Sequence, residues 1–566
     1  MMRKMIMATV CAMLGAVAFG EDNFKTLGAM IDVSRGRVYT VDYLKTRFDQ
    51  MSKMGYNMVM LYTEDVFKLE GEPKWGYMRG GYSVEDIKNL KAHADKLGIR
   101  MIPCIETLGH LEQPLRWSEY AGIRNSRSTL LVGEPGAYEL LDKVIGFWKQ
   151  ALGDNTIHLG MDEAFGFAGG KYKMREGEKN ALDVFLNHLK KVNEICAKHG
   201  FTDLIIWSDM LYRLASPRHD YYDPTAKADP SLVARIPKNV RLCYWDYYHG
   251  EQSYYEGMID GHRTLGSEPI LAGGIQLWQH FLNDREKSIA TAKAFINAAK
   301  VKKCKEFFFT IWGDDGGYAI PDIMLEGLFA GAEMAAGRTP EPTPENCKRF
   351  KKITGLDYAS LAKLGDVNRH YADEWPDMIQ EASILYDDPL YCGNYRNYLV
   401  RKPSETKDRR FYCAVYKDAA WRDDGVKVLA EHRKVLEECK NLKGIPRVAK
   451  KLVETLSAKF NYEADILAAW RNKDKAAIAY IATNDLPKTI RLMKGFTREY
   501  RNDWHATSQP FGFERMQKRN ASQIARLEEA QLRLKEYVEG KVETIPEFDE
   551  AMKPFGKYNA GGVISW

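Results

Sequence analysis

Residues 156–163 read Thr-Ile-His-Leu-Gly-Met-Asp-Glu, an alternating run that closes on two adjacent acids. Side chains on a strand point alternately to its two faces. Ile157, Leu159 and Met161 are therefore expected to face outward against helices, and His158, Gly160 and Asp162 to face inward. Glu163 falls just past the strand end, where the pleat breaks and it too can turn toward a ligand. Seven further short apolar runs have strand length, at 28–33, 58–63, 100–106, 204–208, 240–246, 269–272 and 306–312. Amphipathic stretches separate them, such as the one that sets Val84, Ile87, Leu90, Ala94 and Leu97 on one face and stops at Gly98. Eight strands alternating with helices between residues 24 and 335 predict the α/β class and a (β/α)8 barrel. An open doubly wound sheet is the competing arrangement. It lacks its usual nucleotide loop, because no G-x-G-x-x-G follows the first run.

The chain of 566 residues is longer than one hydrophobic core usually serves. A break falls at Gly337-Arg338-Thr339-Pro340-Glu341-Pro342-Thr343-Pro344, after which the sequence becomes helical and charged, as at 426–440 and 520–540. The expected organisation is a barrel at 21–340 and a mostly α-helical domain at 345–566. The first twenty residues, MMRKMIMATVCAMLGAVAFG, have the basic start, short apolar run and small-residue end of a signal peptide. They predict a secreted or periplasmic protein. Val10 rather than a small residue precedes Cys11, which argues against a lipoprotein, and no later run of about 20 apolar residues appears.

Without Arg3 and Lys4 of that segment, 80 basic residues face 77 acidic ones. So balanced a charge gives no electrostatic case for nucleic acid or an anionic membrane as partner. Cys104, Cys196, Cys243, Cys304, Cys347, Cys392, Cys413 and Cys439 are dispersed with no C-x-x-C pair, which argues against a disulfide scaffold and a structural zinc site.

In a barrel of this kind chemistry gathers where strands end. The second run ends Tyr62-Thr63-Glu64-Asp65 and the third Glu106-Thr107-Leu108-Gly109-His110. The fifth ends Trp207-Ser208-Asp209, and the sixth contains Trp245-Asp246-Tyr247-Tyr248. Gln276-Leu277-Trp278 follows the seventh, and the eighth ends Trp312-Gly313-Asp314-Asp315-Gly316. Acids with Trp at most strand ends describe a carbohydrate pocket, with indole planes for the sugar ring and carboxylates for its hydroxyls. An Asp-Glu pair also occurs as a helix cap or in a surface loop. Two neighbouring carboxylates repel, however, which raises the proton affinity of one and can supply one acid and one anion. His158 is read as structural, holding loops beneath the site.

The segments AMIDVSRG, YTED, IPCIETLGHLE, IHLGMDEAF, WSDM, WDYY and TIWGDDGG, in this order, resemble the family 20 glycoside hydrolases, and the H-x-G-x-D-E motif at 158–163 is the most specific of them. The resemblance is to the branch of hexosaminidase D and of bacterial enzymes with a helical domain after the barrel. It implies a retaining, exo-acting β-N-acetylhexosaminidase that acts on a glycan ending in β-linked GlcNAc or GalNAc. The substrate's own acetamido oxygen would be the nucleophile, with an oxazolinium intermediate and no metal or organic cofactor. By resemblance Asp162 orients the acetamido group and stabilises positive charge, while Glu163 protonates the leaving oxygen and then activates water. Asp65 and His110 match a chain of groups that tunes this acid. Trp207, Trp245 and Trp312 match the pocket walls, with Trp278 beside them, and Asp314, backed by Asp315, matches a hydroxyl-binding carboxylate. An arginine that holds hydroxyls in many relatives is replaced here by Leu27, which leaves Glu64, Arg35 or Arg79 for that work. A tyrosine that binds the acetamido oxygen after strand seven is also absent, and Tyr247 or Tyr248 is the expected substitute. Two other readings remain on the sequence: a metal-dependent hydrolase or deacetylase using His158, Asp162 and Glu163, and an inactive sugar-binding barrel.

Overall fold

The computed structural model describes residues 24–216, 220–227, 229–266, 268–314, 316–369, 379–400 and 423–552. The expected signal peptide at 1–20, Cys413 and Asp315 lie outside the described residues. Eight parallel strands close into a barrel in sequence order: β1 (Thr26–Asp32), β2 (Met58–Thr63), β3 (Arg100–Ile105), β4 (Thr156–His158), β5 (Asp203–Trp207), β6 (Val240–Trp245), β7 (Ile270–Gly274) and β8 (Glu306–Ile311). Seven of the eight have boundaries within two residues of the runs read from sequence. The exception is β4, which stops at His158 instead of Met161. Gly160 and Met161 both take positive φ, 68° and 73°, and turn the chain off the sheet before the two acids.

All six residues of β2 are buried, as expected of a parallel sheet covered on both faces. Inside the barrel the Cys104 Sγ lies 3.9 Å from the Met30 Sδ. Above them the His158 ring sits 4.4 Å from the Trp207 ring, which is 6.1 Å from Phe308. The closing contact pairs β1 with β8 in register from Thr26↔Glu306 to Ile31↔Ile311. Outer helices follow from local sequence. Val84–Lys96 opens on a reciprocal cap between Ser83 and Asp86 and buries Ile87, Leu90 and Ala94, the face read from spacing.

Past the 337–344 break the described chain is helical, and its longest helices are Arg447–Arg471, Leu486–Thr507 and Phe513–Val538. The helix expected at 426–440 spans Asp423–Cys439, and the one expected at 520–540 begins earlier, at Phe513. These helices grip the barrel at the loop after β1. Arg37 donates to Asp503 (3.1 Å) and Thr507 (3.2 Å), with its guanidinium carbon 4.1 Å from the Trp504 ring centroid. Thr40 N–H donates to Thr507 O, and Gln509 N–H to Val38 O. Gly512 approaches so closely that a Cβ there would lie 1.9 Å from Gly36 O. Beside it, Tyr500, whose ring centroid is 5.5 Å from the Arg37 guanidinium carbon, donates from its Oη to Tyr318 O at 2.8 Å.

Cys104, Cys196, Cys243, Cys304, Cys347, Cys392 and Cys439 are all free thiols. Among the described residues no helix is long and apolar enough to cross a membrane.

Candidate active site

The loop after β4 is shaped by its neighbours. Gly160 donates its N–H to His158 Nδ1 (3.1 Å) and accepts at its carbonyl from Trp207 N–H (3.0 Å). A Cβ at Gly160 would lie 2.2 Å from Glu106 Oε2, and its φ of 68° already favours glycine. Glu106 Oε2 accepts the Met161 N–H at 3.3 Å, and Asp209 Oδ2 accepts the Glu163 N–H at 3.0 Å. Glu106 and Asp209, buried at the ends of β3 and β5, therefore brace the acid-bearing loop from both sides. Gly160→Ala is expected to cost about 1–3 kcal/mol of stability for the strained backbone and, by displacing both acids, to lower kcat about 10²-fold. Thermal unfolding and turnover measured on one preparation check this, and wild-type values for both would refute it.

The loop delivers Asp162 and Glu163 to a pocket of about 440 Å³ at the C-terminal mouth of the barrel. His110 joins the two acids there, and Arg35 and Asp314 supply the remaining polar lining. Trp207, Trp245, Tyr247, Tyr248, Trp278 and Trp312 form its aromatic walls. Trp207 is fully buried at its base, while 41% of the Glu163 side chain is open to solvent.

The proton affinities of the two acids are shifted in opposite directions. Burial would raise the proton affinity of Asp162, but the His110 and Arg35 charges and a bond from Glu106 outweigh it and hold Asp162 below the usual carboxylate range. Burial, and then the Asp162 charge, push Glu163 up. The same two causes hold Glu106 well above the carboxylate range and bring Asp209 to about 7. Glu106 Oε1 and Asp162 Oδ1 are both buried without a donor of their own. A proton held on Glu106 and donated to Asp162 satisfies both. His110 Nε2 lies 3.3 Å from Asp162 and 3.6 Å from Glu163. Burial alone would depress this ring's proton affinity, but the Asp162 charge prevails and pushes it to about 9. The site thus sets a carboxyl held low beside one pushed up, with a ring whose proton affinity is raised between them.

Of the three candidates to replace the missing arginine, Arg35 lines the pocket. It donates to Glu64 (3.3 Å) and Tyr62 Oη (3.3 Å), pairs with Asp314, and stands 4.8 Å from the Trp312 ring centroid. Leu27 sits at the start of β1, paired with Phe307, at the opposite end of the strand from the pocket. Glu64, expected to meet substrate, does not line the pocket. It has inward parity but lies beneath Arg35, 5% exposed, where it braces Arg35 and lies 3.7 Å from Arg79. Asp65 is not linked to His110. It has the opposite parity, is buried, and pairs with Arg79 Nε at 2.6 Å. The neighbours of His110 are Arg35, Asp162 and Glu163.

Tyr247 Oη accepts the Trp312 Nε1–H at 3.0 Å, and its ring stacks on Trp245 and meets Trp278 edge-on. Tyr248 lines the same wall. His158 is fully buried beneath Trp207, and burial lowers it to about 3, so it is a neutral acceptor. It does not converge with Asp162 and Glu163 as a metal reading needs. Among the described residues no group of three or more His, Cys, Asp or Glu side chains is placed to hold a metal. Glu106 and Asp209 carried no role in the sequence reading. Their one signal was an acid at the ends of the strands flanking β4.

The catalytic-domain model of glycosyl hydrolase family 20 matches residues 24–269, and the glycoside hydrolase 20C C-terminal domain matches residues 382–563. Trp278, Trp312 and Asp314 lie beyond the first of these. Hexosaminidase D from Homo sapiens is 26% identical over 221 residues, 38% of this chain and 43% of that protein. Hexosaminidase D from Bos taurus is 24% identical over 221 residues, 38% of this chain and 60% of that protein. The chain spans about half the length of the curated relatives it matches. A solved family 20 β-N-acetylhexosaminidase from Streptomyces coelicolor A3(2) aligns at 17% identity and a TM-score of 0.42, over 58% of this chain and 69% of that one.

Proposed function

The chain belongs to glycoside hydrolase family 20, and from that premise we propose that it is an exo-acting, retaining β-N-acetylhexosaminidase releasing terminal β-linked GlcNAc or GalNAc from a glycan. The observation that carries this reading is the consecutive pair Asp162 and Glu163 at the mouth of an aromatic pocket, with their proton affinities pushed in opposite directions. Adjacent carboxylates with proton affinities pushed apart assign one acid and one anion.

Glu163 protonates the glycosidic oxygen as its bond to the anomeric carbon breaks, while the substrate's acetamido oxygen attacks that carbon to form an oxazolinium. Water then attacks the same carbon, Glu163 takes a proton from it, and the acetamide reopens. Asp162 holds the acetamido N–H and stabilises the positive charge on the intermediate. Tyr247, hydrogen-bonded to Trp312 in the pocket wall, is the tyrosine that would meet the acetamido carbonyl. Arg35 and Asp314 present the polar groups that ring hydroxyls require. Residues 1–20 are read as an export signal, which would place this activity in the periplasm or outside the cell.

The direct test is turnover of aryl N-acetyl-β-glucosaminide and galactosaminide side by side, before and after exhaustive chelation. Turnover of at least one, undiminished by chelation, is expected. Activity lost to chelation and restored by a divalent ion would favour the metal hydrolase, and binding without turnover the inactive barrel. The ratio of the two rates reports which 4-hydroxyl configuration the pocket accepts.

A further inference from the structure

Phe165 is 57% exposed, although it lies two residues after Glu163 in a tight turn closed by its own N–H donating to Glu163 O at 2.6 Å. The aromatic residues that wall the pocket are far less open: Trp245, Trp278 and Trp312 are 8–9% exposed and Trp207 is fully buried. A bare ring that close to the acid is held in place by what stands behind it. The Arg213 guanidinium carbon lies 5.6 Å from the Phe165 ring centroid and 5.6 Å from that of Tyr221. Tyr221 in turn packs 5.0 Å from Trp245, in the pocket wall. A row of flat groups, Trp245, Tyr221, Arg213 and Phe165, therefore runs from the wall out to the rim on the Glu163 side. Arg213 Nε is also 4.0 Å from Asp209 Oδ2, the oxygen that accepts the Glu163 N–H. The ring and the acid thus share one support.

We propose that Phe165 is the binding platform for the sugar on the leaving side of the scissile bond, so that the preferred substrate is a glycan chain and not a small aglycone. This rests on the glycosidase reading above. The glycosidic oxygen must come within about 2.6–3.2 Å of Glu163 to receive its proton. The sugar carried by that oxygen then projects from the mouth on the side where Phe165 stands. Packing the C–H face of a pyranose on the open face of the ring removes apolar surface from water on both partners. Arg213 acts through Phe165, as a positioning residue that backs the ring.

The test compares kcat/KM for a β-linked N-acetylhexosamine disaccharide with that for the methyl β-glycoside of the same sugar. Both leave as poor alkoxides and make the same demand on Glu163, but only the disaccharide reaches Phe165. In Phe165→Ala the disaccharide-to-methyl ratio is expected to fall roughly tenfold, the size of one aromatic contact, and in Phe165→Trp to return to the wild-type ratio. A ratio that stays at the wild-type value in Phe165→Ala, whether both rates fall together or neither falls, overturns the platform. A wild-type enzyme that cleaves neither substrate overturns the glycosidase reading instead.

Discussion

Glu163→Gln is expected to lower kcat/KM for a disaccharide about 10²–10⁴-fold, the usual worth of a positioned general acid. Glutamine keeps the shape and the backbone bond to Asp209 but has no proton to give an alkoxide. Glycosides of acidic phenols, whose leaving groups need little help, should lose much less in the step that forms the intermediate. The pH dependence should change in a defined sense. Burial and the Asp162 charge raise the proton affinity of Glu163, so its acid form persists to higher pH than an exposed glutamate allows. Wild-type kcat/KM should fall as pH rises through that raised value, and the variant's residual activity on aryl glycosides should lack this limb. Equal losses for both leaving groups, with the first step shown to limit the rate, would remove Glu163 from the acid role.

Asp162→Asn is expected to lower kcat about 10²–10³-fold with far less change in KM, because its charge matters as the oxazolinium forms. In a two-carboxylate retaining enzyme the nucleophile stands about 5–5.5 Å from the acid, across the sugar ring. Asp162 leaves the same strand end as Glu163 and shares His110 with it, at 3.3 and 3.6 Å. It is therefore placed to hold an acetamido group under the ring and poorly placed to attack the far face. A thiazoline analogue of the intermediate should inhibit the wild type strongly and Asp162→Asn weakly. A trapped glycosyl ester on Asp162, or equal rates with a 2-hydroxy glycoside, would defeat this assignment.

The barrel was legible because each strand is a short apolar run and most end in an acid or a tryptophan. The pair at 162 and 163 and the aromatic walls were legible for the same reason, since inward parity at a strand end fixes where a side chain goes. Local backbone was less so. Gly160 announces a turn, but nothing in the letter Met announces the left-handed φ of Met161, and so β4 read three residues too long. Parity also explains the two polar misplacements. Glu64 faces inward but is roofed by Arg35, a residue from another loop, and Asp65 faces away toward Arg79. The roles of Glu106 and Asp209 depend on backbone amides of a neighbouring strand end, 55 and 46 positions away. Composition and spacing carry no sign of such pairings.

The same holds for the grip of the helices on the loop after β1. Arg37 and Asp503 are 466 positions apart and meet two residues from the Arg35 that lines the pocket. Among the described residues every side chain that lines the pocket comes from the barrel, yet the loop that carries Arg35 is clamped two residues on by the last long helices. Gly36 is wedged between Gly316 and Gly512, so there is no slack through which that loop could settle by itself. The two halves of the sequence are in this sense one instrument. A barrel severed near residue 340 would keep the described pocket residues and lose the clamp on the loop that carries Arg35.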